Sequence, residues 1–261
     1  SKGYVTKIIL LILFFSTSNQ ILIEIGNIDH IIFYLIFLIA IFSNLYIGML
    51  IAFFCSIAKV YPLFAFLTFL KDKKKVFLSY LLIVVAIFIL YQDNIIIPPE
   101  DHQRWWAIIP AYGSGSISEA IFHLLKDHGI IEFSYEKKNI IRLAFALLFI
   151  AIAFFSFLFG QKNEIKLNIN SQILRLFTIG SSIYVGTYAI ASNLDHRLIF
   201  LFFTIPYMLK KNDMISIIFT ICVLISTNSW HFASGEPLSA IYAVKATFIY
   251  SAKLIVFLIL S

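Results

Sequence analysis

Apolar residues run in blocks along this chain, with few of the polar interruptions that give a soluble helix one wet face, and the blocks recur from end to end. Segments that are apolar on every side suit helices surrounded by lipid. In a bilayer core each backbone N–H and C=O has to be satisfied internally, so only helices and closed barrels cross it. Strands of alternating polarity with turn signals are nearly absent, and a helical bundle is predicted. Crossing takes about 20 apolar residues, fewer where a helix stops at a polar cavity. The long blocks are 76–91, 140–160, 172–191, 214–229 and 238–260, and the shorter or broken ones are 4–23, 31–42, 45–58, 61–70 and 198–209. The expected architecture is an all-α, polytopic transmembrane bundle of about 8–10 membrane helices. Residues 45–70 read either as two segments or as one kinked span.

Composition sharpens this picture. Hydrophobic residues make up 61% of the 261 and charged ones 13%, so residues 1–261 read as a single transmembrane domain. Cys55 and Cys222 fall inside apolar blocks, where a free thiol behaves as a small hydrophobe, and no disulfide framework follows. Lys2 and Lys7 ahead of the apolar run 8–15 resemble the first two regions of a signal peptide. No small-residue cleavage site follows, so an ordinary helix is expected, in a chain whose own N-terminus is missing.

The net charge of +6 comes mostly from lysines between apolar blocks, which is the orientation signal of inner loops and not a nucleic-acid footprint. Lys71, Lys73, Lys74 and Lys75, then Lys162 and Lys166, then Lys210 and Lys211 mark three cytoplasmic turns of a multi-pass protein of the cytoplasmic (inner) membrane. Residues 92–139, 192–197 and 230–237 then emerge on the other side. That side gathers Glu100, Asp101, Arg104, Asp195, His196, Arg197, His231 and Glu236 with Trp105, Trp106 and Trp230. The connection 92–139 is far longer than usual, and too aromatic and apolar for disorder. Pro98-Pro99 stiffens its entry, and the stretch from Pro110 to Ser116 is turn chemistry. Residues 118–128 form a short amphipathic helix with Ile121, Leu124 and Leu125 on one face, giving an extracytoplasmic lid on the outer surface.

Ionisable groups in or beside membrane helices are costly and therefore candidates for function. Lys59 sits at a break forced by Pro62, where it suits a lipid phosphate as a point charge or else snorkels from a helix end. In 193–197, Asp195 suits a helix N-cap. Arg197 grips a phosphate with two parallel donors, with His196 beside it, and Asp195 either holds that arginine or accepts a sugar hydroxyl. Gly26-Asn27-Ile28-Asp29-His30 reads as a turn that caps the next helix. Glu100 and Asp101 next to Trp105-Trp106 suit sugar hydroxyls and ring faces, the alternative being interfacial anchoring by tryptophan. Asn27, Trp105, Tyr112, Asp195 and His231 are the substrate-binding candidates, and Asp29, Glu100 and Asp101 the catalytic ones. His123 and His128 lack the i, i+4 spacing of a helical metal site, and neither metal nor cofactor is expected. Lys253 is expected to snorkel towards the inner surface, and Lys245 to face the bundle.

Three stretches together resemble the polyprenol-phosphate-dependent GT-C glycosyltransferases, in particular the mannosyltransferase-like glycosyltransferase family 87. They are Gly26-Asn27-Ile28-Asp29 before a helix; Gly48 onward to Ala58-Lys59-Val60-Tyr61-Pro62-Leu63 and a basic loop; and Gly180 to Tyr184 leading to Asn193-Leu194-Asp195-His196-Arg197-Leu198 and Pro206. His196 stands where the family pattern has tyrosine. The resemblance covers roughly residues 21–211 and implies transfer of a sugar from a polyprenyl-phosphate donor to a glycan or lipid acceptor at the outer face, with Lys59 and Arg197 stabilising the departing phosphate. The family's catalytic aspartate lies in the first outer loop after the first membrane helix, and the chain is expected to lack that N-terminal part. The alternatives are an inactive, degenerate member, or Asp29, Glu100 or Asp101 in the base's place. A transporter or flippase for a lipid-linked or small polar substrate would use the same cations, and a membrane scaffold would need none of them. No inverted repeat favours transport. Labelling of single cysteines by a membrane-impermeant thiol reagent is expected to modify positions in 92–139 from outside and positions in 71–75 only after permeabilisation.

Overall fold

The computed structural model describes residues 2–24, 28–41, 45–59, 61–69, 82, 86, 111–130, 134–160, 171–190, 193–229 and 240–261. The described residues are helical, apart from short turns and one two-residue pairing. In chain order the helices are α1 (Lys2–Phe14), α2 (Thr17–Glu24), α3 (Asp29–Ile41), α4 (Leu45–Ala58), a 3₁₀ segment (Tyr61–Phe69), α5 (Ser114–Asp127), α6 (Tyr135–Gly160), α7 (Ser171–Ile190), a second 3₁₀ segment (Asp195–Phe203), α8 (Ile205–Lys211), α9 (Met214–Thr227) and α10 (Ala240–Leu260). Strands β1 (Ala111–Tyr112) and β2 (Asn193–Leu194) pair antiparallel, Tyr112 opposite Asn193.

Helix α7 is the centre of the packing. One side of it, through Ile179 and Ile183, joins a core of Ile32, Ile36 and Ile39 from α3, Ala52 and Cys55 from α4, and Tyr61 and Phe66. Its other side carries Tyr184 and Tyr188 into a second core with Phe149, Phe219, Val223, Val256 and Phe257. Tyr188 stacks on Phe257 at 4.6 Å between ring centroids and meets Phe149 edge-on at 5.2 Å. Glycines allow α7 to approach its neighbours this closely. A Cβ on Gly180 would lie 2.7 Å from the Phe200 carbonyl oxygen, and one on Gly186 would overlap the Phe64 ring. Both neighbours sit on the 3₁₀ segments, whose tighter coil is thinner than an α-helix. Small residues at such contacts let backbones come together.

Two expected spans are each divided. Residues 4–23 break at Phe15-Ser16, where the Ser16 carbonyl accepts from the N–H groups of Asn19 and Gln20 and starts α2 afresh. Runs of Ser and Thr offer the backbone alternative partners and weaken a continuing helix. Residues 198–209 divide at Thr204, because Pro206 in the first turn of α8 lacks the N–H a continuous helix would use. The expected helices 140–160 and 118–128 begin earlier, at Tyr135 and Ser114, and the span 76–91 lies outside the described residues except Leu82 and Ala86. In α5, Ile121 and Leu125 are half-buried, while Phe122, not foreseen in that face, is fully buried. The Lys138 ammonium meets Glu119 at 2.7 Å and ties α6 to α5.

Many large apolar side chains of the described residues face outward. Leu143, Leu147, Leu148, Phe154 and Phe155 on α6 are all more than half exposed, as are Tyr46, Phe54, Ile217 and Phe248 elsewhere. Among the described residues one helical stretch is long and apolar enough to cross a membrane, Glu136–Ser156, and only 6% of its most apolar window is buried. Apolar helices of 10–17 residues are Tyr4–Phe14, Asp29–Ile41, Tyr46–Ala58 and Met214–Thr227.

The lysine turn between α8 and α9 shows how the sequence makes a sharp reversal. Asn212 takes the left-handed conformation (φ 51°) that ends α8, a conformation asparagine tolerates better than most residues. Asp213 then caps α9, accepting from the Ser216 N–H at 2.8 Å and the Ser216 hydroxyl at 2.6 Å, with the Lys211 ammonium 2.9 Å away. Those donors hold its carboxyl down from 3.8 to about 2, the Ser216 hydroxyl contributing most. A carboxylate whose folded value lies below its unfolded one adds stability that is complete above about pH 4–5 and is lost as pH falls towards 2. The difference in melting temperature between the wild type and Asp213→Ala in detergent is therefore expected to be constant from pH 7 to 5 and to shrink from pH 4 to 2.

Candidate functional site

Polar side chains gather at the pole opposite the Lys210-Lys211 turn. Asp29, in the first turn of α3, is fully buried, and its Oδ1 accepts a hydrogen bond from the Tyr61 hydroxyl at 2.9 Å. Its Oδ2 lies 3.8 Å from Arg197 Nε, a contact between charges and too long for a hydrogen bond. The Arg197 guanidinium carbon stands 5.1 Å from the centre of the Tyr61 ring, within reach of the cation–π attraction. The Phe200 ring packs against the same ring, tilted by 57° with the centroids 5.2 Å apart. Three segments separated by more than 30 residues thus meet on one carboxylate: the start of α3, the start of the first 3₁₀ segment and the first turn of the second.

The local reasons are readable. Pro62 ends α4 and turns the chain so that Tyr61 opens the next segment, and Lys59 closes α4 with its N–H on the Cys55 carbonyl. The second 3₁₀ segment starts at Asp195, directly after β2, which puts Arg197 in its first turn. The β1–β2 pairing attaches residue 112 of the long connection to the same motif.

Of the residues singled out from sequence, Asp29 and Arg197 touch each other. Lys59, half-exposed, is two residues from Tyr61 and so at the same pole. Solvent reaches Arg197 too, its side chain being 23% exposed. The backbones of Tyr112, Asp195 and His196 are placed here, but their side chains are not among those described, and Asn27, Glu100, Asp101, Trp105 and His231 lie outside the described residues altogether. Asp29 acts inside the fold more than as a cap, since its carboxylate is turned to Tyr61 and Arg197.

The same pole holds polar contacts that spacing did not predict. Thr17 and Ser18 both donate to the Thr227 carbonyl, at 3.0 and 2.9 Å, so the first turn of α2 satisfies the end of α9. Asn19 Oδ1 lies 3.1 Å from His30 Nε2, which joins α2 to the residue after Asp29. The clearest departure is Lys253. Its side chain is wholly buried and not snorkelling, because α10 turns it into the second core, where its ammonium lies 5.6 Å from the Tyr250 ring centre and the Tyr184 hydroxyl donates to its carbonyl at 2.8 Å. Lys245 is half-buried. Among the described residues no three His, Cys, Asp or Glu side chains converge as metal ligands would.

No family model matches the chain, and neither does any curated protein or solved structure. The geometry of this pole therefore carries the functional argument by itself.

Tyr61→Phe keeps the ring beneath Arg197 and removes only the donor to a buried carboxylate, and is expected to cost about 1–3 kcal/mol. Denaturant unfolding in micelles measures it, and an unchanged midpoint would show that the Tyr61–Asp29 hydrogen bond contributes nothing to stability.

Proposed function

We propose that the chain is a polytopic helical protein of the cytoplasmic membrane, of GT-C-like architecture. In this reading it moves a sugar from a polyprenyl-phosphate donor to a glycan or lipid acceptor at the outer face. The observation that carries this reading is a solvent-reached Arg197 fixed over Tyr61 by the buried Asp29, at the pole that also holds Lys59. Around it the helices present exposed leucine, isoleucine and phenylalanine. An apolar flank of this size on a protein is what contact with lipid requires.

In such a transfer the bond from the anomeric carbon to the phosphate oxygen breaks as the acceptor oxygen attacks, and the leaving phosphate accumulates negative charge. Arg197 offers a planar pair of donors to that phosphate, with Lys59 adding a second positive charge. Asp29 is best placed as a positioning residue: a carboxylate already engaged by a tyrosine hydroxyl and an arginine holds the cation in register and is poorly disposed to take a proton from the acceptor. Glu100, Asp101 or a residue outside this sequence then remains for the base.

The test is transfer of labelled sugar from a polyprenyl phosphate by the protein in nanodiscs. Arg197→Lys keeps the charge opposite Asp29 but loses the fork, and is expected to lower turnover about a hundredfold. Arg197→Ala, which also takes the neighbouring positive charge from Asp29, is expected to abolish turnover and lower stability. Because Arg197 also meets Asp29, the lysine variant is the cleaner probe. Wild-type turnover in Arg197→Lys would remove the guanidinium from the site. Uptake of substrate into vesicles by a wild type that transfers no sugar would replace this reading with transport.

A further inference from the structure

We infer that the N-terminal turn of α5, Gly113-Ser114-Gly115-Ser116, is a second binding site for a phosphate group, beside the Arg197 segment. This inference rests on the proposed function only for the identity of the ligand's lipid.

A helix N-terminus offers unsatisfied N–H donors and the positive end of the helix dipole, and glycines let an anion approach the backbone. In α5 the first intrahelical bonds run from Ser116 and Ile117 to the Gly113 carbonyl, so the N–H groups of Ser114 and Gly115 come before them. Gly113 has φ 101°, a value that side-chain-bearing residues avoid, and it bends the chain from β1 into the helix. This geometry alone would not make a site. The independent observation is Ser114: its side chain is fully buried, and its hydroxyl has no hydrogen-bond partner among the described residues. Cα–Cβ bonds lean towards a helix's N-terminus, so the side chain of Ser114, the first residue of α5, leans towards the end of the helix that carries those N–H groups. A buried, unused hydroxyl is costly and needs a reason.

Hydroxyls elsewhere near helix starts differ. Ser118 is occupied, donating to the Gly115 carbonyl at 2.8 Å, and the first-turn hydroxyls of α2 are consumed by Thr227. Gly113 to Ser116 are all buried, which favours an anion held by neutral donors in place of water. The β1–β2 ladder sets the charge nearby. Tyr112, just before the turn, lies opposite Asn193, four residues before Arg197. A phosphate here would meet N–H and hydroxyl donors from one side of the ladder and the field of a guanidinium from the other.

The experiment uses the full chain in nanodiscs and reads phosphorus NMR shifts with inorganic phosphate and, separately, with polyprenyl phosphate in the bilayer. The wild type is expected to bind at least one. Response to both assigns a general phosphate site, response to polyprenyl phosphate alone a lipid headgroup site, and response to inorganic phosphate alone a free-anion site. Ser114→Ala is expected to weaken that binding about tenfold, and Ser114→Thr to restore it. Melting temperatures of the two variants within a few degrees of the wild type would confirm that folding is intact. Unchanged affinity in Ser114→Ala, or no binding of either probe by the wild type, would overturn the site. Sugar transfer with unaltered phosphate binding in Ser114→Ala would sink this inference alone, and phosphate binding lost in Ser114→Ala without any transfer by the wild type would sink the proposed function alone.

Discussion

A carboxylate with no access to water has to be compensated where it lies, and in this chain that requirement organises one whole pole. Asp29 is fully buried at the head of α3. Removing an ionised carboxylate from water costs several kcal/mol unless charge and hydrogen bonds replace the solvent. Tyr61 and Arg197 supply them, and each arrives from a segment of its own: a 3₁₀ stretch at a proline break, and another after a two-residue strand. The arginine is then aimed, because Tyr61 lies under it and Asp29 beside it. Packing alone would not aim it, since isoleucine and phenylalanine contacts are interchangeable while an ion pair is not.

The two cores serve this pole from below. Helix α7 runs between them and can touch both 3₁₀ segments because Gly180 and Gly186 present no side chain to Phe200 and Phe64. The segments that carry Tyr61 and Arg197 are thereby packed against one common helix. A shift in α7 would be felt by both residues, which links the middle of the bundle to the geometry of the charged cluster.

Much of this was readable from residue order. The apolar blocks gave the helices α3, α4, α6, α7, α9 and α10 to within a few residues, because a run of leucine, isoleucine and phenylalanine has few alternatives to a helix. Pro62 marked a real break, whereas the break at Pro206 was read through as part of 198–209. Asp29, Lys59 and Arg197 stood out as charges in apolar surroundings, and two of them meet. What escaped depends on contacts between distant segments. Nothing local says that Tyr61 will reach a residue 32 positions earlier, or that Lys253 will turn inward among tyrosines when its neighbours suggest a helix end. The division at Ser16 was also hidden, since a Ser-Thr-Ser run is compatible with a membrane helix until its hydroxyls find a carbonyl elsewhere.

That carbonyl belongs to Thr227, 210 positions along the chain from Thr17. An unmet carbonyl at the end of α9 would be expensive in apolar surroundings, so α9 is incomplete until α2 arrives. In synthesis α2 is made long before α9, and the pair closes only when most of the bundle has been delivered. Closure of an early segment onto a late one makes this step of assembly a long-range event, slow by comparison with local helix pairing. The hydroxyls of Thr17 and Ser18 thus act as a clasp that fastens late.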